Sequence, residues 1–427
     1  MLSQELRGQV QYVDVLIIGA GPAGMAAAIA AREAGVDNLL VLEREQNMGG
    51  ILRQCIHNGF GLHRFKEELT GPEYAQRDID KVRELAIEVR CGTTVLSVDE
   101  DRFVTAVCRE NGIQLFEAGA IILAMGCRER PRGALATPGT RCSGIYSAGT
   151  AQKFVNLEGY MPGKRVVILG SGDIGLIMAR RMTLQGAKVL ACVELMPYSS
   201  GLNRNIVQCL HDYDIPLLLS HTVIDIEGRE RLCGVTVAQV DERRMPIPGT
   251  EQHFDCDTLL LSVGLIPENE LTLQAEVEMS PLTQGAVVDD SLQTSKDGIF
   301  ACGNVLHVHD LVDFVSAESF KAGKAAAAYV QGNKRDGKFV DVRDGDGVRG
   351  VVPQRLLVPD GEAQPVQLMF RPAAVYENAT VRVLDGEREV LKQKKRILTP
   401  GEMAELNLKP EQIKGLSGAA LTVCVER

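Results

Sequence analysis

The sequence predicts an α/β protein in which two parallel-sheet domains, one inserted in the other, precede a small β-sandwich-like domain. Two observations predict the paired domains: a glycine-rich strand–turn–helix pattern occurs twice, and an acidic residue follows each copy at the same distance. A third observation predicts the last domain, because short apolar runs separated by turn residues replace the helical pattern after residue 350.

Each copy of the repeat is an apolar run, a G-x-G-x-x-G turn and a helical stretch. Counted from the first glycine, both copies place glycine at offsets 0, 2, 5 and 16 and glutamate at offset 24. One such turn is a weak signal, but two copies with matching acids predict two Rossmann-like dinucleotide-binding domains. The turns and their acids are Gly19-Ala20-Gly21-Pro22-Ala23-Gly24 with Glu43, and Gly170-Ser171-Gly172-Asp173-Ile174-Gly175 with Glu194.

The residues of these turns have separate physical tasks. The first glycine permits a tight turn, the second lets the backbone approach a pyrophosphate, and the third lets the helix pack close to the strand. The N–H groups of the helix start then hold the phosphates, and Pro22 suits that position because its missing N–H costs little there. Glu43 and Glu194 are expected to accept hydrogen bonds from ribose hydroxyls.

The second copy leaves two questions open. Asp173 adds a negative charge beside the expected phosphates, so a tight turn without a ligand is a stronger alternative here than at the first copy. Glu194 would repel a 2′-phosphate, and no arginine follows it before Arg204. We therefore expect NAD(H) rather than NADP(H).

The composition excludes several other classes of protein. The chain has 427 residues, is 45% apolar and carries a net charge of −10. This negative charge argues against a protein that binds nucleic acid or docks on an anionic membrane surface. No apolar run approaches the roughly 18 residues of a membrane-spanning helix, and the expected location is cytoplasmic. The 11 cysteines include no C-x-x-C pair, which argues against a zinc ribbon or a clustered iron–sulfur site.

Other buried-strand patterns end in glycine at Gly126, Gly264 and Gly303, and the last precedes an Ala-rich helix. With the first turn and Glu43, these segments resemble the two-dinucleotide-binding-domain flavoproteins of the pyridine nucleotide–disulfide oxidoreductase superfamily, over about residues 12–332. The resemblance implies that the first copy binds FAD and the second binds NAD(P)H.

The expected FAD contacts include the phosphate turn, two strand ends and the start of a late helix. The full set is Gly19, Gly21, Pro22, Ala23, Gly24, Glu43, Arg44, Gly50, Val95, Ala124, Gly126, Gly303, Asn304, Val315 and Ser316. The expected NAD contacts are Gly170, Ser171, Gly172, Asp173, Ile174, Gly175, Glu194 and Gly264.

Departures from the family pattern narrow the expected function. The late Gly–Asp pair of the family reads Gly303-Asn304, and neither of the family's redox disulfides, C-x-x-x-x-C or C-x-x-C, is present. A protein disulfide is therefore not the expected substrate. Residues 54–62, 126–133 and 147–152 look like segments of the FAD/NAD-binding subunits of multi-subunit dehydrogenases, such as opine oxidase, hydrogen cyanide synthase and glycerol-3-phosphate-dehydrogenase-associated flavoproteins.

Cys55 and His57, which follow Gly49-Gly50 in the sequence, are the candidate catalytic residues. One interpretation makes Cys55 a charge-transfer thiolate and His57 a proton donor to the reduced flavin. The other interpretation is that both side chains only pack against the flavin ring.

Two further clusters have a structural and a functional interpretation. His307 and His309 suggest a metal site, but too few ligands follow, so we predict no metal and expect Asp310 to be a helix N-cap and Asp313 to reach back in a capping-box-like role. Arg128, Arg130 and Arg132 form either a solvated face or a patch for NAD phosphates or an acidic partner.

The predicted domains are residues 1–127 with 260–332 for FAD, 128–259 for NAD(H), a linker over 333–350 and a β-rich domain over 351–427. The favoured function is an FAD-dependent oxidoreductase that exchanges hydride with NAD(H) and passes electrons to or from a partner dehydrogenase or iron–sulfur protein. We expect a hetero-oligomer with such a partner, and a homodimer stays open. The alternatives are a free-standing NADH oxidase or small-thiol reductase that uses Cys55, and a non-catalytic flavoprotein scaffold or redox sensor.

Overall fold

A computed structural model describes residues 10–333, 335–418 and 420–426. The predicted domain ranges also include residues 1–9, 334, 419 and 427, which lie outside the described residues. The chain divides into two compact units. The first unit contains the residues up to 53, residues 58–127 and the residues from 267 onward, and the second unit contains residues 54–57 and 128–266.

The first unit is built on a parallel sheet. Its central strand, Val10–Ile18, pairs in parallel with Leu39–Leu42 on one side and with Gly112–Leu123 on the other. Leu39–Leu42 pairs in turn with Glu88–Arg90, and Ile299–Ala301 pairs with the end of Gly112–Leu123. Residues 15–18, Leu39–Leu42 and residues 120–123 are buried without interruption, as is typical of inner strands of a parallel sheet.

Two Ala-rich helices cover this sheet, Pro22–Glu33 and Val312–Val330. They pack closely because their facing residues are small: a Cβ added at Gly323 would lie 2.2 Å from the carbonyl oxygen of Ala27. The late helix is therefore locked against the helix that follows the first glycine-rich turn. This packing positions both helix starts at one end of the sheet.

The second unit contains a five-stranded parallel sheet in the order Ile145–Ser147, Thr258–Leu261, Arg165–Leu169, Lys188–Glu194 and Leu217–Leu219. The helix Asp173–Leu184 follows its glycine-rich turn. Because Thr258–Leu261 is an inner strand of this sheet, the unit continues to residue 266. The boundary predicted from the sequence, after residue 259, falls within that strand.

The C-terminal strands form two sheets around one apolar core. A five-stranded sheet has the order Arg355–Pro359, Gly337–Asp344, Leu421–Glu426, Tyr376–Asp385 and Arg388–Leu398. A three-stranded sheet has the order Val348–Val352, Val366–Pro372 and Ala404–Leu408.

The predicted linker over residues 333–350 differs from the structure. Gly337–Asp344 is a strand of the five-stranded sheet, and its alternating Val340 and Val342 are buried in the core. The polar residues of this segment lie on the outer face of the strand, which gives it the composition of a linker. The β-sandwich thus begins before residue 351.

The remaining elements are short. The strands Thr93–Val98 and Phe103–Cys108 extend the first sheet in antiparallel fashion, and His221–Gly228, Leu232–Gln239 and Gln252–Phe254 form an antiparallel sheet in the second unit. The other strands are Asn58–Phe60, Leu69–Thr70, Cys127–Glu129 and Leu265–Pro267, and the other α-helices are Gly71–Glu84, Ala148–Lys153, Asn203–Cys209, Glu270–Gln274 and Pro410–Lys414. Among the described residues, no helix has the length and apolar character needed to cross a bilayer.

Candidate functional site

The first glycine-rich turn is shaped by close backbone approaches. Gly19 has a φ of +104°, and a Cβ there would lie 2.6 Å from the carbonyl oxygen of Ala124. A Cβ at Gly24 would lie 1.8 Å from the carbonyl oxygen of Gly19. Gly21 precedes the helix with no side-chain cap, and Pro22 is in its first turn. Within the described residues no side chain makes a capping hydrogen bond to this helix start, so its backbone N–H groups fit the pyrophosphate of a dinucleotide.

Glu43 is held at the edge of this turn. Its Oε2 accepts a 2.7 Å hydrogen bond from the amide of Ala20, and its Oε1 accepts a 2.8 Å hydrogen bond from the amide of Glu45. The residue is 6% exposed. A carboxylate has about four acceptor positions, so this one has capacity left for ribose hydroxyls.

The fold brings two distant glycines to the first turn. A Cβ at Gly50 would lie 3.0 Å from Cα of Gly21, and a Cβ at Gly303 would lie 2.7 Å from Cβ of Ala23. Both glycines have positive φ, +54° and +72°. Segments that are far apart in the sequence therefore meet at the turn, as expected for contacts to one ligand.

The other predicted FAD residues of the first unit occupy several environments. Asn304 accepts a 3.0 Å hydrogen bond from the amide of His309 and points its Nδ2 at Sγ of Cys127, 3.6 Å away. Ala124 is buried at a strand end, and Gly126 has φ +74° with open space where a Cβ would be. Val95 packs against the core, and Arg44 is exposed beside Glu43.

The late helix begins close to the position that an N-cap at Asp310 implies, but before the two FAD contacts expected at its entrance. Its first residue is Val312, so Val315 and Ser316 lie about one turn inside the helix instead of at its entrance. Ser316 is fully buried, and its Oγ lies 2.8 Å from the hydroxyl of Tyr74.

The second glycine-rich turn has the same construction. Gly170 has a φ of +97°, and a Cβ there would lie 2.0 Å from the carbonyl oxygen of Ser262. The amide of Gly175 donates a 3.0 Å hydrogen bond to Oγ of Ser262. Gly172 precedes the helix without a side-chain cap, and Ile174 packs against the core of the second unit.

Glu194 repeats the arrangement of Glu43. Its Oε2 accepts hydrogen bonds from the amide (2.9 Å) and the hydroxyl (2.6 Å) of Ser171, and its Oε1 accepts one from the amide of Met196 (2.9 Å). The residue is 7% exposed. Each unit thus fastens its acidic residue to its own glycine-rich turn, and each keeps a buried negative charge there.

The carboxylate of Asp173 is hydrogen-bonded to the segment that follows Glu194. Its Oδ1 accepts hydrogen bonds from the amide of Leu202 (2.8 Å) and from Nδ2 of Asn205 (2.7 Å). Asp173 therefore fixes the segment after Glu194, and Ser199 adds a 3.1 Å bond to the carbonyl oxygen of Ser171. Asp173 thus has a structural role in this turn, and its effect on bound phosphates stays a prediction.

The arginine cluster and Gly264 also belong to the second unit. The amide of Arg130 donates a 3.0 Å hydrogen bond to the carbonyl oxygen of Gly264, which has φ +101°. The guanidinium of Arg132 binds the carbonyl oxygens of Gly139 and Thr140. This use of Arg132 favours the structural interpretation for that residue.

Cys55 and His57 lie in the second unit, and their environments oppose the predicted chemistry. Cys55 is 4% exposed, with Sγ 3.7 Å from Oε1 of Gln152, and burial raises the pKa of its thiol to about 12. Burial, with the nearby charges of Arg204 and Arg180, lowers the pKa of His57 to about 4. At neutral pH this arrangement holds a protonated thiol and a neutral imidazole, so it favours neither a charge-transfer thiolate nor an imidazolium proton donor.

The His307–His309 pair is part of a buried cluster with Glu318. Nε2 of His307 lies 2.6 Å from Oε2 of Glu318, and Nε2 of His309 lies 3.2 Å from Oε1. Glu318 also accepts a 2.7 Å hydrogen bond from the amide of Gly303. These three side chains are the types that hold a metal, and their ligand atoms lie within 4.8 Å of one another. The absence of a metal stays a prediction.

The predicted capping roles of Asp310 and Asp313 are wrong. The N-cap residue is Leu311, and no side chain caps this helix start. Asp310 instead accepts from Arg371 and from the amide of Met403. Asp313 accepts from three backbone amides of a distant loop, at positions 61, 63 and 64. Tertiary contacts outcompeted local capping for both carboxylates.

Glu318 and Ser262 are the residues that sequence reasoning missed. Glu318 is an acid within an Ala-rich apolar helix, and that conflict with the helical pattern is the signal that could have found it. Ser262 lies in the predicted strand that ends at Gly264, but its contact with the second turn depends on strand order, which the sequence does not state.

Comparisons with known proteins agree with this architecture. The sequence profile of the pyridine nucleotide-disulphide oxidoreductase family matches residues 13–332. An opine oxidase chain of Agrobacterium tumefaciens, one subunit of that enzyme, is 26% identical over 315 residues, which cover 69% of this chain and 61% of that protein. Thioredoxin reductase of Mycolicibacterium smegmatis is 28% identical over 327 residues, 75% of this chain and 96% of that protein. The chain thus spans about three fifths of the opine oxidase protein.

The fold is shared with a solved structure. The crystal structure of T. acidophilum thioredoxin reductase matches with a TM-score of 0.62 and 24% identity, covering 74% of this chain and 98% of that one. The fold and the paired glycine-rich turns define an oxidoreductase with two dinucleotide sites. The chain belongs to the pyridine nucleotide-disulphide oxidoreductase family, whose cofactors are FAD and NAD(P)H. Its β-sandwich lies outside the matched region.

Proposed function

We propose that this protein is an FAD-dependent oxidoreductase that exchanges hydride with NAD(H) and passes electrons to or from a partner dehydrogenase or iron–sulfur protein. FAD, when bound, supplies the two-electron redox chemistry, which side chains alone do not provide. The work of the chain is to bind and orient the two dinucleotides and to limit competing reactions.

The observation that carries the proposal is the matched pair of buried carboxylates. Glu43 and Glu194 each accept a hydrogen bond from the residue after the first glycine of their turn and another from two residues beyond themselves. Such a carboxylate is preorganised to accept ribose hydroxyls beside a pyrophosphate site. Two such sites in one chain suit two dinucleotides and a reaction between them.

The FAD residues proposed for the first unit are those named above from the sequence, with the turn at Gly19–Gly24 as the phosphate site. Gly50 and Gly303 approach this turn closely: a side chain at Gly303 would clash with Ala23, and one at Gly50 would be tightly packed against Gly21. The residues proposed for NAD are those of the second turn with Glu194 and Gly264. The buried charge of Glu194 opposes a 2′-phosphate, which supports NAD(H) over NADP(H).

The cysteines support a function without a protein dithiol. The sequence contains no C-x-x-C pair, and none of the 11 cysteines, all of which lie within the described residues, forms a disulfide. Cys55, the candidate for a single-thiol mechanism, is buried with a raised pKa. Electrons are therefore better passed to another redox protein than to a disulfide, and similarity to a protein named as part of an oxidase supports a partner chain.

The test uses the purified full chain. Its visible spectrum and heat-released cofactor identify the flavin, and anaerobic mixing with NADH is expected to bleach the flavin band. A chain that cannot be loaded with FAD, or whose flavin NADH does not reduce, would refute the proposal.

A second measurement separates electron transfer to a partner from a thiol mechanism. We expect Cys55→Ser to keep the NADH-dependent reduction of an outer-sphere acceptor such as ferricyanide. We expect the wild type to have little disulfide reductase activity, so the substitution should cause no loss of that activity. Strong disulfide reduction that disappears in Cys55→Ser would identify a small-thiol reductase instead. Co-purification with a chain that bears its own flavin or iron–sulfur motif would support the partner.

A further inference from the structure

The buried cluster at Glu318 is not explained by the binding of either dinucleotide to its turn. Glu318, His307 and His309 have side chains that are 4%, 5% and 2% exposed. Ionisable side chains are seldom buried to this extent unless they are fully hydrogen-bonded. The hydrogen bonds of this cluster are therefore expected to hold separate parts of the chain together.

Glu318 fastens both ends of the loop that precedes its helix. Its Oε1 accepts from the amide of Gly303 at 2.7 Å and faces Nε2 of His309 at 3.2 Å, while its Oε2 faces Nε2 of His307 at 2.6 Å. The amide of His309 in turn donates to Oδ1 of Asn304. One carboxylate thus sets the path of residues 303–309.

This loop lies beside the first glycine-rich turn. A Cβ at Gly303 would be 2.7 Å from Cβ of Ala23, in the first turn of the phosphate-site helix. Gly303 therefore packs against the first turn of the helix whose start is the proposed pyrophosphate site. A shift of a few tenths of an ångström at Gly303 reaches that turn directly.

The carboxylate at the centre of the cluster is ionised. Burial by itself would raise the pKa of Glu318, but the two imidazoles that contact it hold this pKa well below its usual range. Burial lowers the pKa of His307. Glu318 is therefore an ionised carboxylate in an interior where charges act over longer distances than in water.

A metal explains these contacts less well than hydrogen bonds do. The distance of 2.6 Å between Nε2 of His307 and Oε2 of Glu318 is that of a strong, charge-assisted hydrogen bond. Each of the three side chains already has a partner within the cluster.

We propose that Glu318 is a positioning residue for the flavin: its carboxylate fixes Gly303 and Asn304 against the first turn and places a permanent negative charge that lowers the reduction potential of bound FAD. A negative charge disfavours the gain of electron density nearby, so its removal makes the flavin easier to reduce. The proposal rests on FAD binding in the first unit, as proposed above.

The test compares Glu318→Gln with the matched control Ser319→Ala in the FAD-loaded full chain. Ser319 is the fully buried neighbour on the same helix, and its hydroxyl donates to the carbonyl oxygen of Val315. We expect Glu318→Gln to raise the midpoint potential by at least about 30 mV, a tenfold change in the ratio of reduced to oxidised flavin for a two-electron couple. Ser319→Ala is expected to stay within half of that shift.

The outcomes are distinguishable. A Glu318→Gln protein with the wild-type potential overturns the inference and leaves the proposed function intact, whereas a wild type that binds no FAD overturns both. If Glu318→Gln cannot be loaded, Glu318→Asp decides, because it keeps the charge but is one methylene too short to reach Gly303. We expect its FAD affinity to fall at least tenfold, and an unchanged affinity would overturn the inference. If the chelator-treated wild type binds one equivalent of zinc and Glu318→Gln does not, the cluster is a metal site, and this result would also overturn the inference.

Discussion

The amide of Ala20 donates a 2.7 Å hydrogen bond to the carboxylate of Glu43, and the amide of Ser171 makes the equivalent bond to Glu194 in the other unit. The two pairs have the same separation in the sequence, 23 residues. Each carboxylate is therefore oriented before any ligand arrives, which reduces the entropy lost on binding. The behaviour expected of both nucleotide sites depends on this relationship.

Glu43→Gln should weaken FAD binding while leaving the second site intact. Loss of one charge-assisted hydrogen bond to a ribose hydroxyl costs about 1.5–3 kcal/mol, or roughly 10- to 150-fold in Kd. FAD retention after gel filtration and titration of the apoprotein measure the effect. Glu194→Gln is the matched control, and an equal loss of FAD in that variant would contradict the assignment of the two turns.

Glu194→Gln should change nicotinamide specificity. The wild type is expected to bind NADH at least about tenfold more tightly than NADPH, because a buried carboxylate next to a 2′-phosphate is repulsive. The neutral amide removes the repulsion, so the preference should shrink mainly through tighter NADPH binding. Calorimetric titration with both nucleotides measures the ratio. An unchanged ratio would mean that other residues set the preference.

Asp173→Ala should loosen the segment after Glu194 without improving NADH binding. The carboxylate holds the amide of Leu202 and the side chain of Asn205, so its removal leaves both donors without that acceptor. Faster hydrogen exchange over residues 199–205 is the expected result. A lower Kd for NADH in this variant would show that Asp173 instead repels the phosphates.

His57→Asn should make the protein less sensitive to mild acid. The native pKa of about 4 lies below the ordinary value of 6.5, so between these values the unfolded chain binds a proton that the native imidazole does not. The free energy of unfolding therefore falls as the pH is lowered through this window, and for this group by no more than roughly 2 kcal/mol at about pH 5.

Denaturant titrations of the wild type and His57→Asn at neutral pH and at about pH 5 measure this difference. His211→Asn, at an exposed histidine of the same unit, is the control. Equal losses of stability in the wild type and His57→Asn would mean that His57 is not buried as described.

Arg371→Ala should weaken the attachment of the β-sandwich to the loop before the late helix. The guanidinium of Arg371 binds the carboxylate of Asp310 and donates to the carbonyl oxygen of Val308 at 3.0 Å, and both partners lie in the loop before the late helix. We expect a loss of about 1–3 kcal/mol, because the partly buried Asp310 loses its cation. Arg382→Ala, at an arginine that pairs with acids of the sandwich itself, should cost less than about 1 kcal/mol. Thermal unfolding of both variants checks the order.

Much of the fold could be read from the sequence because local patterns specify it. The first glycine-rich turn is followed by a helix, Pro22–Glu33, as the repeat predicts, and a strand and a helix flank Gly170 in the same way. The turn at Asp385-Gly386, between the paired strands Tyr376–Asp385 and Arg388–Leu398, is local in the same sense, because an Asp-Gly pair favours a short hairpin turn. These features are specified by residues that are neighbours in the chain.

Other features could not be read because they depend on strand order. Thr258–Leu261 is an inner strand of its sheet, and this position extends the second unit beyond residue 259. Exposed and buried residues alternate in Gly337–Asp344, which is a strand although its composition resembles that of a linker. The environments of Cys55 and His57 are set by side chains about 97 to 147 positions away, so their pKa values were not accessible from composition or spacing.

The two glycine-rich turns and their matching acids were already specified by the order of residues along the chain, because the spacing of strand, turn and acid follows from the geometry of one βαβ unit. The tertiary structure alone decided which distant groups contact those turns. Gly303 packs against Ala23, Ser262 contacts the turn at Gly170 and Gly175, and Glu318 accepts a hydrogen bond from the amide of Gly303. Hydrogen bonds and close packing act over a few ångströms in space, and such groups come that close only when the sheets have formed.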